Sequence, residues 1–328
     1  MSAFDGLLAC PACQGELRPG WSCARCGRQY EAQDGIPDLR LPMDARVEAV
    51  RRFYQQTPFP GYPPGATRVW LRARAERSDF ARQLDRAIAP DARIVEIGCG
   101  TGQMSLYLAR GSRVVVGADL SRESLRLAAD AATRFNIDRV QFVETDVLTP
   151  GLRSAAYDVV YASGVLHHTP DPRAAFARLV RLARPGGTVI VGVYNTFARI
   201  PLRLRRLVAK VTRYRLIPFD PVLRDREREP GRHRAWLRDQ YQHPEEHRHT
   251  VGEVQRWFAE NAVEYLRTYP SALVGRAVDG DDDGPGLFTH AEDNWPFESW
   301  LAQLGWIGTL GHEGGLFVTI GRRWSHDG

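Results

Sequence analysis

Lysine is almost absent from this sequence, since Lys210 is the single lysine among 44 basic residues. Arginine therefore supplies nearly all of the positive charge, which exceeds the negative charge by five at pH 7. A GC-rich coding bias produces the same excess of arginine. The basic balance therefore permits nucleic-acid binding without requiring it.

Long hydrophobic runs are also missing. The longest apolar stretches, such as residues 188–193, are far too short to span a bilayer. The first residues do not combine a charged start, an apolar core and a small-residue cleavage site, as a signal peptide does. These absences predict a soluble, cytoplasmic protein without a transmembrane segment.

Cysteine is too scarce for a disulfide framework. Of the five cysteines, four stand in metal-ligand spacing and the fifth, Cys99, lies inside a glycine-rich loop. The composition is otherwise that of a globular chain, with 43% hydrophobic and 25% charged residues, which argues against disorder.

From residue 92 onward, short apolar runs rich in β-branched residues alternate with helical segments. Such runs are typical of a parallel sheet that is buried on both faces. Their count predicts seven strands, the last two separated from the first five by insertions at about 196–249 and 270–312. The predicted fold class is α/β, a Rossmann-like sheet with helices on both faces.

Three regions are predicted along the chain: a cysteine-rich domain (1–42), a helical and aromatic connector that includes a lid (43–91), and the α/β domain (92–328). Residues 67–89 of the connector have the apolar spacing of one amphipathic helix. Its rings, Phe53, Tyr54, Phe59 and Tyr62, are expected either to cover a ligand or to plug the domain edge.

The stretch VEIGCGTGQ follows the first predicted strand and opens a helix, which is where open α/β sheets bind nucleotides. Its glycines are Gly98, Gly100 and Gly102, whereas a dinucleotide fingerprint requires glycine where Gln103 stands. The loop also lacks the Lys-Ser/Thr pair of a P-loop. We therefore expect a close backbone approach to a ligand without phosphates.

Three carboxylates stand at or near the ends of successive strands around this loop: Glu96, Asp119 and Asp146. Asp119 is placed to accept hydrogen bonds from ribose hydroxyls, and Asp146 to meet an adenine amino group. Glu96 would face a cationic tail. Together they predict a site for S-adenosylmethionine, the alternative being that all three are solvated strand ends.

Residues 92–194 resemble the class I methyltransferases in their type 11 form. The resemblance is carried by VEIGCGTGQ, VVGADLS, FVETDVL and YDVVYASGVLHHTPDPRAAFARLVRLARPGGTVIVGVY. It implies the strand order 3-2-1-4-5-7-6 with strand seven antiparallel. It also implies that Glu96 binds the methionine ammonium, Asp119 the ribose and Asp146 the adenine. The remaining predicted cofactor-binding residues are Gly98, Cys99, Gly100, Leu120, Val147, Ser163 and Gly164.

Methyl transfer needs position more than acid or base power, but a hydroxyl acceptor benefits from a nearby base. His167 and His168 follow the fourth strand, and Tyr194 ends the fifth, on the side where acceptors meet the methyl group. These three residues are the catalytic candidates. Packing or loop anchoring is the alternative for the two histidines.

The four remaining cysteines, Cys10, Cys13, Cys23 and Cys26, have the spacing Cys-x2-Cys-x9-Cys-x2-Cys. In a cytosolic chain this spacing predicts a closed, structural four-thiolate zinc site, against the alternative of four unliganded thiols. The surrounding stretch resembles the small zinc-binding activator subunits of tRNA, rRNA and release-factor methyltransferases. It also resembles the N-terminal zinc ribbon of a family of rRNA guanine methyltransferases.

The predicted function is methyl transfer from S-adenosylmethionine to a small-molecule acceptor enclosed by the two insertions. The enzyme alternative is an RNA methyltransferase that grips RNA with the zinc ribbon and the basic segment Arg199–Arg215. That segment would equally suit an anionic membrane surface or a helix packed on the sheet. The alternative without enzyme activity is a cofactor-binding scaffold. No obligate protein partner is predicted.

Overall fold

The structure is a computed structural model that describes residues 4, 6–213, 217, 220, 223, 236–238, 240–272, 286–290, 296–310 and 314–325. Much of the two predicted insertions, including Arg215, lies outside the described residues.

The described strands, in chain order, are β1 (Leu17–Arg18), β2 (Ser22–Cys23), β3 (Ala32–Gln33), β4 (Ile36–Pro37), β5 (Arg93–Ile97), β6 (Val114–Asp119), β7 (Val140–Glu144), β8 (Tyr157–Ser163), β9 (Ala183–Tyr194), β10 (Val263–Tyr269) and β11 (Leu316–Arg323). The described helices are α1 (Ala45–Gln56), α2 (Arg68–Ala75), α3 (Asp79–Ala87), α4 (Gln103–Leu108), α5 (Arg122–Phe135), α6 (Pro172–Val180), α7 (Ile200–Val211), α8 (Val251–Glu260) and α9 (Pro296–Gly305). No helix in the described part of the chain combines the length and apolar character that a bilayer crossing requires.

Seven strands form one sheet in the order β10-β11-β9-β8-β5-β6-β7. Strands β5 to β9 pair in parallel, and β11 runs antiparallel to both β9 and β10. Numbered within the sheet, this is the order 3-2-1-4-5-7-6 with strand seven antiparallel. The predicted fold class and strand order are confirmed.

The sheet is buried on both faces because successive residues of each strand enter opposite hydrophobic clusters. Val95 of β5 and Val116 of β6 pack in one cluster, whereas Ile94 and Val115 pack in the other. All four are less than 1% exposed. The two-residue period of a strand thus explains why its core runs are continuously apolar.

The connector differs from its prediction. One helix over residues 67–89 is wrong, because α2 ends at Ala75 and α3 starts a new helix at Asp79. The Ser78 side chain accepts a hydrogen bond from the Ala81 amide, so it caps α3. Val69, which the single helix would have placed on its apolar side, is 77% exposed.

The cysteine-rich region packs against the sheet at its β7 edge. The Leu39 amide donates to the Glu144 carbonyl at 2.8 Å, and Asp38 pairs in parallel with Glu144. The Leu7 carbonyl accepts from the Tyr157 hydroxyl at 2.6 Å. Leu39 and Leu7 belong to the same hydrophobic cluster as the sheet, so the two predicted domains share a core.

A buried carboxylate on β7 joins three parts of the chain. Glu144 is 1% exposed and pairs with Arg122 of α5 at 2.6 Å, with Arg40 at 3.1 Å and with Arg51 of α1 at 3.5 Å. Burial raises the pKa of Glu144, although Arg40 and Arg122 act to lower it. The arrangement ties the connector and the end of the cysteine-rich region to the sheet edge.

Glu144→Gln tests this junction. The amide keeps the shape of the side chain but removes the charge that three arginines share. We expect a loss of about 1–3 kcal/mol in the free energy of unfolding, measured in urea. The control is Glu123→Gln, on the exposed surface of α5, for which we expect a change within about 0.5 kcal/mol. Equal effects of the two variants would contradict this account of Glu144.

Candidate functional site

The loop between β5 and α4 depends on glycine at two positions. The backbone φ is +69° at Gly98 and +52° at Gly100, a region that glycine adopts without strain. A Cβ on Gly98 would lie 2.0 Å from a methyl group of Val165, and one on Gly100 would lie 2.5 Å from the Phe59 carbonyl oxygen. The loop is therefore held in close contact on both sides.

Asp119, at the end of β6, fixes this loop to the neighbouring strand. Its Oδ2 accepts from the Gly100 amide at 2.8 Å and its Oδ1 from the Ser121 amide at 2.7 Å. Burial raises the pKa of Asp119, and these two amides oppose that rise. Since a carboxylate oxygen accepts two hydrogen bonds, each oxygen keeps acceptor capacity for a ligand.

Glu96, on β5, is a buried carboxylate without a cationic partner among the described side chains that act on its pKa. It is 7% exposed and accepts a hydrogen bond from the Ser105 hydroxyl. Burial raises its pKa to about 8, because the charged form has lost its water. A cationic ligand would supply the missing charge.

A cavity of about 890 Å³ lies above the carboxyl ends of the strands. All ten predicted cofactor-binding residues line it: Glu96, Gly98, Cys99, Gly100, Asp119, Leu120, Asp146, Val147, Ser163 and Gly164. Asp146 accepts from the Leu148 amide at 3.0 Å, and burial raises its pKa. The volume is within the range of pockets that bury a nucleoside-sized ligand. The binding role of each residue stays a prediction.

The connector covers the glycine loop. The Tyr62 hydroxyl donates to the Thr101 carbonyl at 2.8 Å. The side-chain amide nitrogen of Gln103 donates to the Gly61 carbonyl at 3.1 Å. Tyr54 and Phe59 line the cavity. Phe53 and Tyr62 are not among its lining residues, so both interpretations of the aromatic residues stay predictions.

His168 and Tyr194 also line the cavity. His168 Nδ1 lies 2.7 Å from the Glu245 carbonyl, which only accepts, so Nδ1 carries the proton. Burial lowers the pKa of His168 to about 4, against the effect of this hydrogen bond. The ring is therefore neutral at pH 7 and keeps a lone pair on Nε2.

His167 lies behind the cavity wall and is not among its lining residues. It is fully buried, its ring lies 3.8 Å from the Tyr194 ring, and neither ring nitrogen has a hydrogen-bond partner in the described structure. Burial lowers its pKa well below the usual value. The structure thus separates two adjacent histidines that the sequence presents as equals.

Arg199 is a site residue that sequence reasoning missed, since it was considered only as part of the basic segment Arg199–Arg215. It is fully buried and its guanidinium carbon lies 3.7 Å from the centre of the Tyr194 ring. Its Nη2 pairs with Glu246 at 2.5 Å. Although burial opposes it, Arg199 and Arg206 lower the pKa of Glu246 to about 2. No local sequence signal reveals this pairing, because the partners are 47 residues apart.

Gln240 completes the wall, and sequence reasoning missed it as well. Its amide nitrogen donates to the Tyr194 hydroxyl at 2.9 Å, while its oxygen accepts from Arg199. It lines the cavity together with Trp236. Both lie in the insertion that the sequence predicted to enclose an acceptor.

The four cysteines of the N-terminal region come together as candidate metal ligands. Their sulfur atoms all lie within 4.8 Å of one another, with Cys10 and Cys26 at 3.7 Å and Cys13 and Cys23 at 3.5 Å. In a tetrahedral site with Zn–S bonds of 2.3 Å, sulfur atoms lie about 3.8 Å apart. Amide groups of Cys26 and Arg25 lower the pKa of the Cys23 thiol to about 6. This geometry and chemistry fit a zinc ion.

Comparison with known proteins points to the same part of the chain. Residues 95–191, from β5 into β9, match the family model described as "Methyltransferase domain". The central segment is therefore similar to the methyltransferase domains of that family. The match covers the glycine loop and all three strand-end carboxylates.

Individual relatives match different shares of the chain. An uncharacterized protein of Synechococcus is 28% identical over 71% of this chain and 64% of its own length. The 27-O-demethylrifamycin SV methyltransferase of Amycolatopsis mediterranei is 34% identical over 30% of this chain and 38% of its own. The chain thus covers less than two thirds of these curated relatives.

Among solved structures, the chain is similar to the magnesium protoporphyrin IX methyltransferase of Synechocystis with bound SAM. The identity is 15%, the TM-score is 0.47, and the match covers 86% of this chain and 98% of that one.

Cys13→Ser tests the metal centre. We expect the purified wild-type protein to hold about one zinc per chain, and the variant to lose it, because one of four thiolates is missing. Zinc is measured by elemental analysis after desalting. The control is Cys99→Ser, in the glycine loop, which should retain the wild-type zinc content. Absence of zinc from the wild type, or full zinc in Cys13→Ser, would contradict the prediction.

Proposed function

We propose that this chain is an S-adenosylmethionine-dependent methyltransferase acting in the cytoplasm. The observation that carries this is one cavity, lined in part by the matched segment, that brings Glu96 and Asp119 together around the glycine loop. Glu96 is buried and has no cationic partner among the described side chains that act on its pKa, and Asp119 is half-buried beside it. Such a cavity fits a ligand that combines a ribose with an ammonium group.

Three carboxylates at the strand ends each recognise a different part of this ligand. Glu96 binds the ammonium, Asp119 accepts hydrogen bonds from the ribose hydroxyls, and Asp146 receives the adenine amino group. The bound ligand supplies a methyl group activated by a sulfonium. The rest of the task is positioning, since alignment within a closed site contributes several kcal/mol, about 7–11 in ideal cases.

The acceptor in this proposal is a small molecule. The cavity is roofed by Tyr54 and Phe59 and walled by His168, Tyr194 and Trp236. Its volume of about 890 Å³ accommodates a second ligand beside an adenosyl group. The Amycolatopsis relative, whose name assigns it demethylrifamycin methylation, is a precedent for such an acceptor.

His168 is the residue placed to receive a proton from an acceptor hydroxyl. Its Nδ1–H is fixed by Glu245, so Nε2 is the acceptor atom. Because its pKa is low, His168 is a weak base. It would take the hydroxyl proton of the acceptor only as that proton becomes more acidic, while the oxygen attacks the methyl group. Tyr194 holds the wall of the acceptor side, anchored by Gln240 and Arg199. We give His167 a packing role, because it lies outside the cavity lining.

The four-cysteine site has a structural role in this proposal. Four thiolates complete a tetrahedral zinc shell and leave no open position for a substrate. The ion would fold a region with little core of its own and hold it on the β7 edge.

The raised pKa of Glu96 gives the cofactor site a pH signature. Free Glu96 is mostly protonated at pH 7, but it must ionise to pair with the ammonium. Binding therefore releases about 0.9 proton at pH 7, and affinity falls by up to about tenfold per unit as pH drops from 7 to 6. Calorimetry of S-adenosylmethionine binding in buffers of different ionisation enthalpy measures both the affinity and the number of protons released. Glu96→Gln should bind weakly and release no proton, and proton release unchanged in that variant would contradict the assignment.

The activity itself is tested with a radiolabelled methyl donor and cell extract separated into metabolite, RNA and protein fractions. We expect label in the metabolite fraction. Asp119→Asn should weaken donor binding by at least about tenfold, since one side-chain acceptor oxygen is lost. Asp130→Asn, on the exposed face of α5, is the control and should match the wild type. Label in RNA would overturn the small-molecule acceptor, and no label anywhere would overturn the methyltransferase.

A further inference from the structure

Helix α7 exposes a stripe of apolar side chains to solvent. Leu204 and Leu207 are each 62% exposed, and Val211 is 78% exposed. The spacings of three and four residues place them on one face of the helix. The opposite face is buried at Leu202 and Ala209. We refer to Leu204, Leu207 and Val211 as the α7 stripe.

The surroundings of the α7 stripe are basic. Arg203, Lys210 and Arg213 are exposed beside it. No acidic residue occurs anywhere from position 199 to 213. The buried arginine of this segment, Arg199, is already neutralised by Glu246. The exposed charges of Arg203, Lys210 and Arg213 are therefore available to a binding partner.

A second apolar patch lies on α9. Phe297 is 69% exposed, Trp300 46% and Leu301 41%. The ring of Phe197, one turn before α7, lies 6.2 Å from the Trp300 ring, which connects the two helices. The α9 patch carries a tryptophan, a residue enriched where proteins meet the lipid headgroups.

We propose that the α7 stripe and its basic neighbours dock on an anionic lipid surface. A face of Leu and Val flanked by Arg and Lys is what a helix lying in the membrane interface presents. RNA would be gripped by basic and aromatic groups, and the aliphatic stripe would give it nothing to stack on. A second copy meeting this face symmetrically would bring its arginines against their own equivalents.

This surface lies next to the cavity. Arg199, the residue that precedes α7, contacts the Tyr194 ring at the cavity wall. A chain docked through α7 would therefore hold the acceptor side of its cavity close to the lipid headgroups. The docking does not depend on the proposed methyl transfer, so it can be tested as binding alone.

The experiment is vesicle co-sedimentation with the full chain, using phosphatidylcholine vesicles with and without phosphatidylglycerol. We expect binding to the anionic vesicles that weakens as salt is added. The double variant Leu204→Ser/Leu207→Ser should bind roughly tenfold more weakly or worse, because apolar burial in the interface is lost. Arg203→Ser and Lys210→Ser should each lower binding about fivefold. Val69→Ser on α2, an exposed valine that lies off the α7 stripe, is the control and should bind as wild type.

Four outcomes would overturn the proposal: no binding to anionic vesicles, equal binding to neutral ones, an equal loss in Val69→Ser, or no loss in the Leu204/Leu207 variant. Light scattering that shows a dimer dissociated by the same variant would assign the surface to a second copy. RNA binding lost in that variant would assign it to RNA. Thermal unfolding of each variant confirms that the fold is retained.

Discussion

The cavity depends on one interaction, the pair of hydrogen bonds that the Asp119 carboxylate accepts from the Gly100 and Ser121 amides. This pairing holds the tight turn after β5 against the end of β6, and it brings Glu96 and Asp119 to one cavity. The neighbouring contacts then have fixed positions: Val165 against Gly98 and the Phe59 carbonyl against Gly100. The connector, the glycine loop and the carboxyl ends of the strands therefore contact one another at this point.

The cavity wall at Tyr194 is organised differently, around a buried cation instead of backbone amides. Arg199 stacks on Tyr194 and reaches Glu246, while Gln240 joins both. Such a network is stable only when each buried charge has its partner. The segment that carries Glu246 is also anchored by His168, so the wall of the cavity and its insertion form a single unit.

The strands and the glycine turn after β5 could be predicted because they follow from local patterns. Apolar runs determine the strands, and the spacing of Gly98 and Gly100 before Asp119 determines the turn. The break at Ser78 was missed, since a serine inside an apolar period resembles any polar helix position until its cap is seen. Arg199 was missed for a different reason. Its burial depends on Glu246, a partner distant in sequence, and a charged residue in an amphipathic pattern ordinarily indicates solvent.

The packing of the cysteine-rich region on β7 has a consequence for how chains behave toward one another. An uncovered edge strand offers free amide and carbonyl groups to any other extended segment, and two chains can pair there. Here the residues after β4 occupy that edge, through Leu39, Asp38 and the arginines around Glu144. A chain in which the cysteine-rich region came away from the sheet would expose the Val140–Glu144 strand. Its failure would then be aggregation through strand pairing, even though the cavity itself was intact.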